Sequence, residues 1–307
     1  MTACPQRASD ALLGRKPVVF LYHVAHMSDS IPVTVVVPVK NEARNLPRCL
    51  KRLERFEKVY VVDSGSDDAT PEVAESHGAE VVQFKWNGRF PKKRNWFLDN
   101  HTLGTEWVLF LDADEIITDD FCTEIDTKVR SGQCVGYWLT FHNWFMGQFL
   151  RHGDPFAKLA LFRPDSGRYE KIDEDRWSHL DMEIHEHPLL NGEIGTIHSP
   201  IDHDDRRGLE SYIAKHNEYS SWEAKRYLAM GPKGGPAWQA LTPRQRSKYG
   251  KIENWWFPLA YYLVSLILKR GFLDGKAGFS IARFKAQYFW HIKMKIKEER
   301  SRAAAES

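Results

Sequence analysis

Four short apolar runs, each followed by a segment of helical period, constrain this chain more than any other feature. Residues 33–38 (VTVVVP) are β-branched and end on proline, a strand signal with its own stop. Residues 58–63 (KVYVVD), 79–84 (AEVVQF) and 107–111 (WVLFL) repeat it. Between them, residues 45–56 carry Leu46, Leu50, Leu53 and Phe56 at helical spacing, with Asn45 and Pro47 placed to start a helix. Residues 69–77 and 91–99 predict two more helices. Strands apolar on both faces and alternating with helices belong in a buried parallel sheet with right-handed crossovers. The class is therefore α/β. In such sheets ligands bind beyond the carboxyl ends of the strands. Three polar strand ends, 38–42, 63–68 and 112–114, fall there together.

The last of these is the most telling. Val108-Leu109-Phe110-Leu111 runs straight into Asp112-Ala113-Asp114-Glu115. Side chains on a strand alternate, so Asp112 and Asp114 are expected on one side as the strand leaves the sheet. Two converging carboxylates repel unless a cation sits between them or a proton is taken up. A hard divalent ion with positions open for phosphate oxygens answers that need. An acidic turn that only solvates a strand end is the plain alternative.

The 307 residues suffice for one large domain, or one domain and an appendage. Cys4, Cys49, Cys122 and Cys134 form no C-x-x-C pair, so they read as thiols of a reducing compartment. No secretory signal layout and no run of membrane-spanning length is expected. Aromatic content of 13%, with eleven Trp, suits a protein that meets sugar faces or a membrane interface. Net charge is +2 but uneven: from Lys248 onward there are twelve Lys/Arg against five Asp/Glu, which leaves −5 on the rest. An acidic body with a basic tail suggests a metal site in one and an anionic surface contact in the other. Beyond residue 120 the pattern loosens. Residues 134–143 and 157–163 predict strands, 209–228 a helix, and 231–235 a Gly/Pro break.

Four elements in order, VVVPVKNEARNL, VVDSGSDDAT, Lys92-Lys93-Arg94-Asn95 and LFLDADE, resemble glycosyltransferase family 2, the inverting enzymes of the GT-A fold. Later segments are similar to its bacterial subgroup of lipopolysaccharide-core and exopolysaccharide glucosyltransferases: Ile184-His185-Glu186, Ile201-Asp202-His203, and residues 271–279 (GFLDGKAGF). The resemblance implies a Rossmann-like, mostly parallel sheet flanked by helices, with a C-terminal helical appendage. Residues 1–30 would be an extension, 31–207 the catalytic domain, and 208–307 a helical, membrane-associating region.

The implied donor is a nucleotide-diphosphate sugar, a UDP-sugar first of all. Asp112 and Asp114, with His203 completing the set, would hold Mg²⁺ or Mn²⁺ against the departing diphosphate. Pro38, Val39, Lys40 and Glu42 would floor the nucleotide, and Asp63 would accept from its base or ribose. Arg94 and Lys92 would contact phosphates, or Arg94 would orient Asp112; Ala113 belongs to the same strand end. Glu186 is the expected base for the acceptor hydroxyl, with Glu183 and Asp181 as alternatives. Asp67 and Asp68 are expected to cap the helix from residue 69. Arg206 and Arg207 are expected at the surface rather than on the diphosphate.

Residues 255–268 (WWFPLAYYLVSLIL) are mainly apolar and flanked by Lys251 and Lys269-Arg270. As a helix of about 21 Å they fall short of the roughly 30 Å hydrocarbon core, so they are expected to lie in the interface rather than span it. The expected acceptor is lipid-linked or lipopolysaccharide, the expected place the inner-membrane surface from the cytoplasmic side, and no nucleic-acid partner is expected. The element Gln-x-x-Arg-Trp of processive synthases is absent, which favours single addition. Competing readings are a nucleotidyltransferase, which would want a Gly-rich phosphate loop, and a catalytically silent membrane adaptor.

Overall fold

A computed structural model of the chain describes residues 30–153, 156–172, 174, 177–178, 181 and 187–306. The first half alternates as expected: β1 (Ile31–Val39), α1 (Leu46–Leu50), β2 (Phe56–Asp63), α2 (Thr70–Ser76), β3 (Glu80–Gln83), α3 (Lys93–Asn100), β4 (Trp107–Phe110), β5 (Glu115–Ile116) and α4 (Asp119–Ser131). The middle is strand-rich: β6 (Gly136–Phe145), β7 (Gln148–Leu150), β8 (Phe156–Phe162), β9 (Gly167–Tyr169), β10 (Pro188–Leu190) and β11 (Ile194–His203). The rest is helical: α5 (Gly208–Ala229), α6 (Pro236–Gln239), α7 (Pro243–Lys251), α8 (Phe257–Leu263) and α9 (Gly275–Glu306).

Among the described residues one sheet runs in the order β3-β2-β1-β4-β8-β6-β11-β5, with β7 beside β6. β1 pairs in parallel with β2 and β4, and β2 with β3. Beyond β4 the sheet is mixed: β8 is antiparallel to both β4 and β6, while β6 and β11 are parallel. This is the mostly parallel, helix-flanked sheet that the strand runs call for. Its core is apolar throughout; Val33, Val35, Val37, Val61, Leu109 and Phe110 are fully buried. Each such side chain contributes about 1.5–3 kcal/mol by leaving water.

The expected helix over residues 45–56 stops early. α1 closes after five residues, and Phe56 opens β2 opposite Ile31. The apolar residues Leu53 and Phe56 are buried by turn and strand instead. Asp68 does serve the start of α2, accepting from the Thr70 amide (3.1 Å), whereas the Asp67 amide donates to Asn41 Oδ1 (2.8 Å).

The C-terminal helices build a second, smaller core around Ala224, Tyr227, Trp238, Tyr249, Ile292 and Ile296. Where they meet each other and the segments beside the sheet, the contacts are polar and buried. Glu174 pairs with Lys92 and accepts from Trp222 Nε1 (2.5 Å). Glu223 accepts from Lys248 Nζ (2.6 Å) and Tyr249 OH (2.7 Å). Glu170 accepts from Arg226 Nη2 (3.2 Å) and Gln245 Nε2 (3.3 Å). Among the described residues no helix is long and apolar enough to cross a membrane. The 255–268 stretch is α8 followed by a π-helical turn, Val264–Leu268.

Candidate active site

The site grows from the turn after β4. Once the strand ends at Phe110, the Asp112 carbonyl accepts from the Glu115 amide (2.9 Å), and the Asp112 amide donates to Glu115 Oε2 (2.9 Å). Glu115 thus closes its own turn. Because residues 112–115 turn rather than continue the strand, Asp112 and Asp114 do not share one set of partners as the alternation suggested. Asp112 Oδ1 accepts from Arg94 Nη2 (3.2 Å), and its Oδ2 faces Lys158 Nζ on β8 (3.1 Å). Lys158 also pairs with Glu115 (3.1 Å). Asp114 faces His203 Nε2 (3.6 Å) and Arg207 Nη2 (3.4 Å).

His203 is brought there by the sheet. It is the last residue of β11 and pairs with Glu115 in antiparallel register, while the Asp204 amide donates to the Asp114 carbonyl (2.8 Å). Its Nδ1 lies 3.0 Å from Asn143 Oδ1 on β6. An amide oxygen there accepts Nδ1–H, which leaves Nε2 turned to Asp114 as the ligating nitrogen.

Burial alone would raise the carboxyl of Asp114; the charges of His203, Lys215 and Arg207 outweigh it and hold Asp114 well below the usual carboxylate range. Asp112 is only half-buried; partial desolvation would raise it, yet Lys158 and Arg94 keep it low. Glu115 has the opposite fate: burial, with Asp112 adding to it against Lys158, pushes it up to about 7. Burial opposes protonation of His203, but the Asp114 carboxylate wins and raises it.

Two cations were not singled out from sequence. Lys158 carried no signal beyond one polar residue in an apolar strand. Lys215 lies on α5, two turns past Arg207, with Nζ 5.9 Å from the Tyr219 ring. Although burial works against its charge, the fields of Tyr219, Asp114 and Asp112 raise its pKa. Arg207 is corrected too. It is no loose surface residue, since it bridges Glu42 Oε1 (2.8 Å), Asp114 and Asp205 (2.8 Å).

The remaining expected residues separate into two groups. Glu42 joins the site through Arg207 and also accepts from Asn45 Nδ2 (2.9 Å); burial raises its carboxyl against Arg207. Pro38, Val39 and Ala113 are buried beside it, and Lys40 is exposed at the rim. The Val39 carbonyl accepts from Lys93 Nζ (3.0 Å). Asp63 stands opposite Val39 in the β1–β2 register, 1% exposed, and accepts from the Ser66 amide (3.1 Å) and Gln83 Nε2 (3.2 Å), closing the β2–α2 turn. Lys92 is committed to Glu174 inside the polar seam, not to the strand ends. Its place at the start of α3, next to the buried Glu174, accounts for this.

Asp114 and His203 fit a divalent ion as two ligands: one oxygen and one nitrogen lone pair aimed at each other across 3.6 Å. Asp112 does not complete a preformed trio, because Arg94 and Lys158 hold it. Among the described residues no three His, Cys, Asp or Glu side chains converge as a metal cluster. Glu186 and Glu183 lie outside the described residues, as do His185 and residues 1–29. Asp181 is described; it pairs with Lys93 Nζ (3.4 Å), which outweighs burial and lowers its pKa.

The model of glycosyl transferase family 2 matches residues 34–185. Three relatives bear on the match. A TPR repeat-containing protein of Synechococcus elongatus is 30% identical over 133 residues, 43% of this chain but only 31% of that protein. An uncharacterized glycosyltransferase of Rickettsia bellii is 24% identical over 255 residues, 80% of each chain. The lipopolysaccharide core biosynthesis glycosyltransferase LpsC of Rhizobium meliloti is 24% identical over 215 residues, 67% of this chain and 75% of that one.

Proposed function

The chain belongs to glycosyltransferase family 2, and from that premise we propose that it moves one sugar, with inversion, from a nucleotide-diphosphate donor to a membrane-linked glycan acceptor. The observation that carries the reading is the chain of Glu42, Arg207, Asp114 and His203 beyond the ends of β1 and β4, with Lys215 on α5 adding positive charge to its field. A sugar nucleotide breaks at the bond between its anomeric carbon and the phosphate oxygen, and the diphosphate leaves with added negative charge. Basic groups facing that oxygen favour its departure. Arg207 and Lys215 are placed to do this, and Arg94 and Lys158 fix Asp112. Asp114 and His203 would hold Mg²⁺ or Mn²⁺, which when bound supplies Lewis-acid charge to the diphosphate.

On the other face of the sugar, the acceptor hydroxyl loses its proton to a carboxylate as its oxygen bonds the anomeric carbon. Glu186 is our proposed base, a role worth about 10²–10⁴-fold. Residues 31–207 bear this chemistry, and 208–307 add Lys215 and hold the enzyme on the cytoplasmic side of the inner membrane. The LpsC relationship favours an acceptor of the lipopolysaccharide-core or exopolysaccharide kind, and UDP-sugars are the donors to try first.

Release of nucleoside diphosphate from a panel of nucleotide sugars, with Mg²⁺ or Mn²⁺ and with chelator, tests the proposal. We expect release with one donor, dependent on metal. Release of sugar 1-phosphate instead, the leaving group when the α-phosphorus is attacked, would indicate nucleotidyl transfer and overturn it.

A further inference from the structure

The corner where the β6–β7 hairpin meets the start of α9 carries chemistry that sugar transfer does not use. GFLDGKAG folds there as a 3₁₀ turn, Gly271–Asp274, leading into α9. Its two outer glycines permit close packing. A Cβ on Gly278 would lie 1.9 Å from the Gly271 carbonyl, and one on Gly271 would lie 3.3 Å from Gly153 Cα. Asp274, 6% exposed, accepts from the amides of Arg151 (3.1 Å) and His152 (2.8 Å) and from the His152 ring (3.2 Å). The acid at this corner is thus consumed by local donors.

What remains outward is basic and apolar. A cavity of about 620 Å³ opens between Met146, Gln148, Arg151, Leu273 and Lys276, with Asp274 also in its lining, its carboxylate turned to the Arg151 and His152 amides. The charged heads of Arg151 and Lys276 have no acidic partner among the described residues. Around its mouth Leu268 is 75% exposed, Met146 58% and Leu273 54%, with Phe272 and Phe279 also open to solvent. Trp255, Leu259 and Ile267 extend the apolar surface along α8 and the π-turn, and Lys269 and Arg270 flank it. Apolar side chains rimmed by cations match a bilayer with anionic headgroups: the chains enter the acyl boundary and the cations meet phosphate.

We propose that this corner docks on anionic phospholipid, one phosphate headgroup sitting in the cavity between Arg151 and Lys276 while Met146, Leu268, Phe272 and Leu273 insert. This deepens the membrane placement proposed above and is independent of the sugar chemistry.

The test is co-sedimentation of the full chain with phosphatidylcholine vesicles, with and without phosphatidylglycerol, at low and high salt. We expect binding that needs phosphatidylglycerol and weakens with salt. Arg151→Glu with Lys276→Glu should weaken it by about 30-fold or more, the effect of losing two interfacial basic charges. Leu268→Ser with Leu273→Ser should weaken it too, whereas Lys85→Glu, on the exposed end beyond β3, should not. Melting temperatures and lipid-free release of nucleoside diphosphate should match wild type in every variant, which separates this proposal from the glycosyl-transfer reading. Equal binding by the charge-reversed protein would overturn the proposal. So would displacement by glycerol 3-phosphate at matched phosphate, or a lipid-free dimer abolished by the serine pair.

Discussion

Two regions of this protein bury comparable material by opposite means. The parallel half, β1 to β4, is sealed chiefly by Val, Leu and Phe; its buried Thr34 is a small neutral exception, bonded to the Leu103 carbonyl and Thr105 Oγ1. The seam between the sheet and α5–α7 buries Glu174, Glu223, Arg226 and Lys92, each answered by an opposite charge or a donor. Apolar packing forgives a change of shape and supplies most of the stability. A buried ion pair contributes little net stability but fails badly when half of it is lost. The first region therefore sets the fold, and the second sets where the helices, and Lys215 with them, stand against the strand ends.

The largest expected effect tests whether the parallel half carries the chemistry. Asp114→Ala should cut nucleoside diphosphate release by about 10³-fold, equal to about 4 kcal/mol, and Asp114→Asn, which keeps the side chain's shape, should do the same. A fully active variant would empty the comparison of its functional side. Next, urea unfolding should separate the two packing styles. Leu109→Ala costs about 2–5 kcal/mol, but Leu109→Met under about 1.5 kcal/mol. Glu174→Ala costs about 3–5 kcal/mol by stranding Lys92 and Trp222 Nε1. Glu174→Gln should remain well above the Leu109→Met cost; if both are mild, the distinction breaks.

The seam also predicts a pH dependence. His187 is depressed to about 4, by burial first and then by Arg244, Lys248 and Arg226. Between about 6.5, the ordinary imidazole value, and about 4 the unfolded chain binds the proton that the folded chain refuses. Stability present above that window is therefore lost as pH falls through it, by up to about 3 kcal/mol. His187→Gln should flatten the profile over the same range. The smallest effect is the sharpest on mechanism. Lys215→Ala should raise the donor KM by about 10–100-fold, or about 1.4–2.8 kcal/mol, with Lys215→Arg recovering part of it. A loss of stability instead would make Lys215 a packing residue of the seam.

Legibility in the sequence follows the same divide. Strands whose residues are apolar on both faces announce themselves, so β1, β2, β4 and the acidic turn after β4 stand where the runs placed them. His203 was reachable through its family element. Lys158, Lys215 and Arg207 were not, because nothing local distinguishes a lysine that meets a carboxylate from one that meets water. Their meaning comes from pairings 43 and 93 residues away in sequence, Lys158 with Glu115 and Arg207 with Asp114. Lys92 shows the converse: a basic run near the polar strand ends invited one reading, and a buried glutamate gave it another task.

The alignment of β11 has a consequence for ion preference. Between Ile197 and Ile201 it carries two more residues than β6 does between Leu139 and Phe141, an even surplus that keeps His203 on the inner side. Removing only one residue there, Ser199 for instance, would rotate the strand end by half a pleat. An aspartate, 202 or 204, would then take the place of the imidazole. If the pair holds an ion as proposed, its donors would become all oxygen, a set suited to magnesium or calcium. In this architecture the tally of residues along one strand decides which side chain stands opposite Asp114.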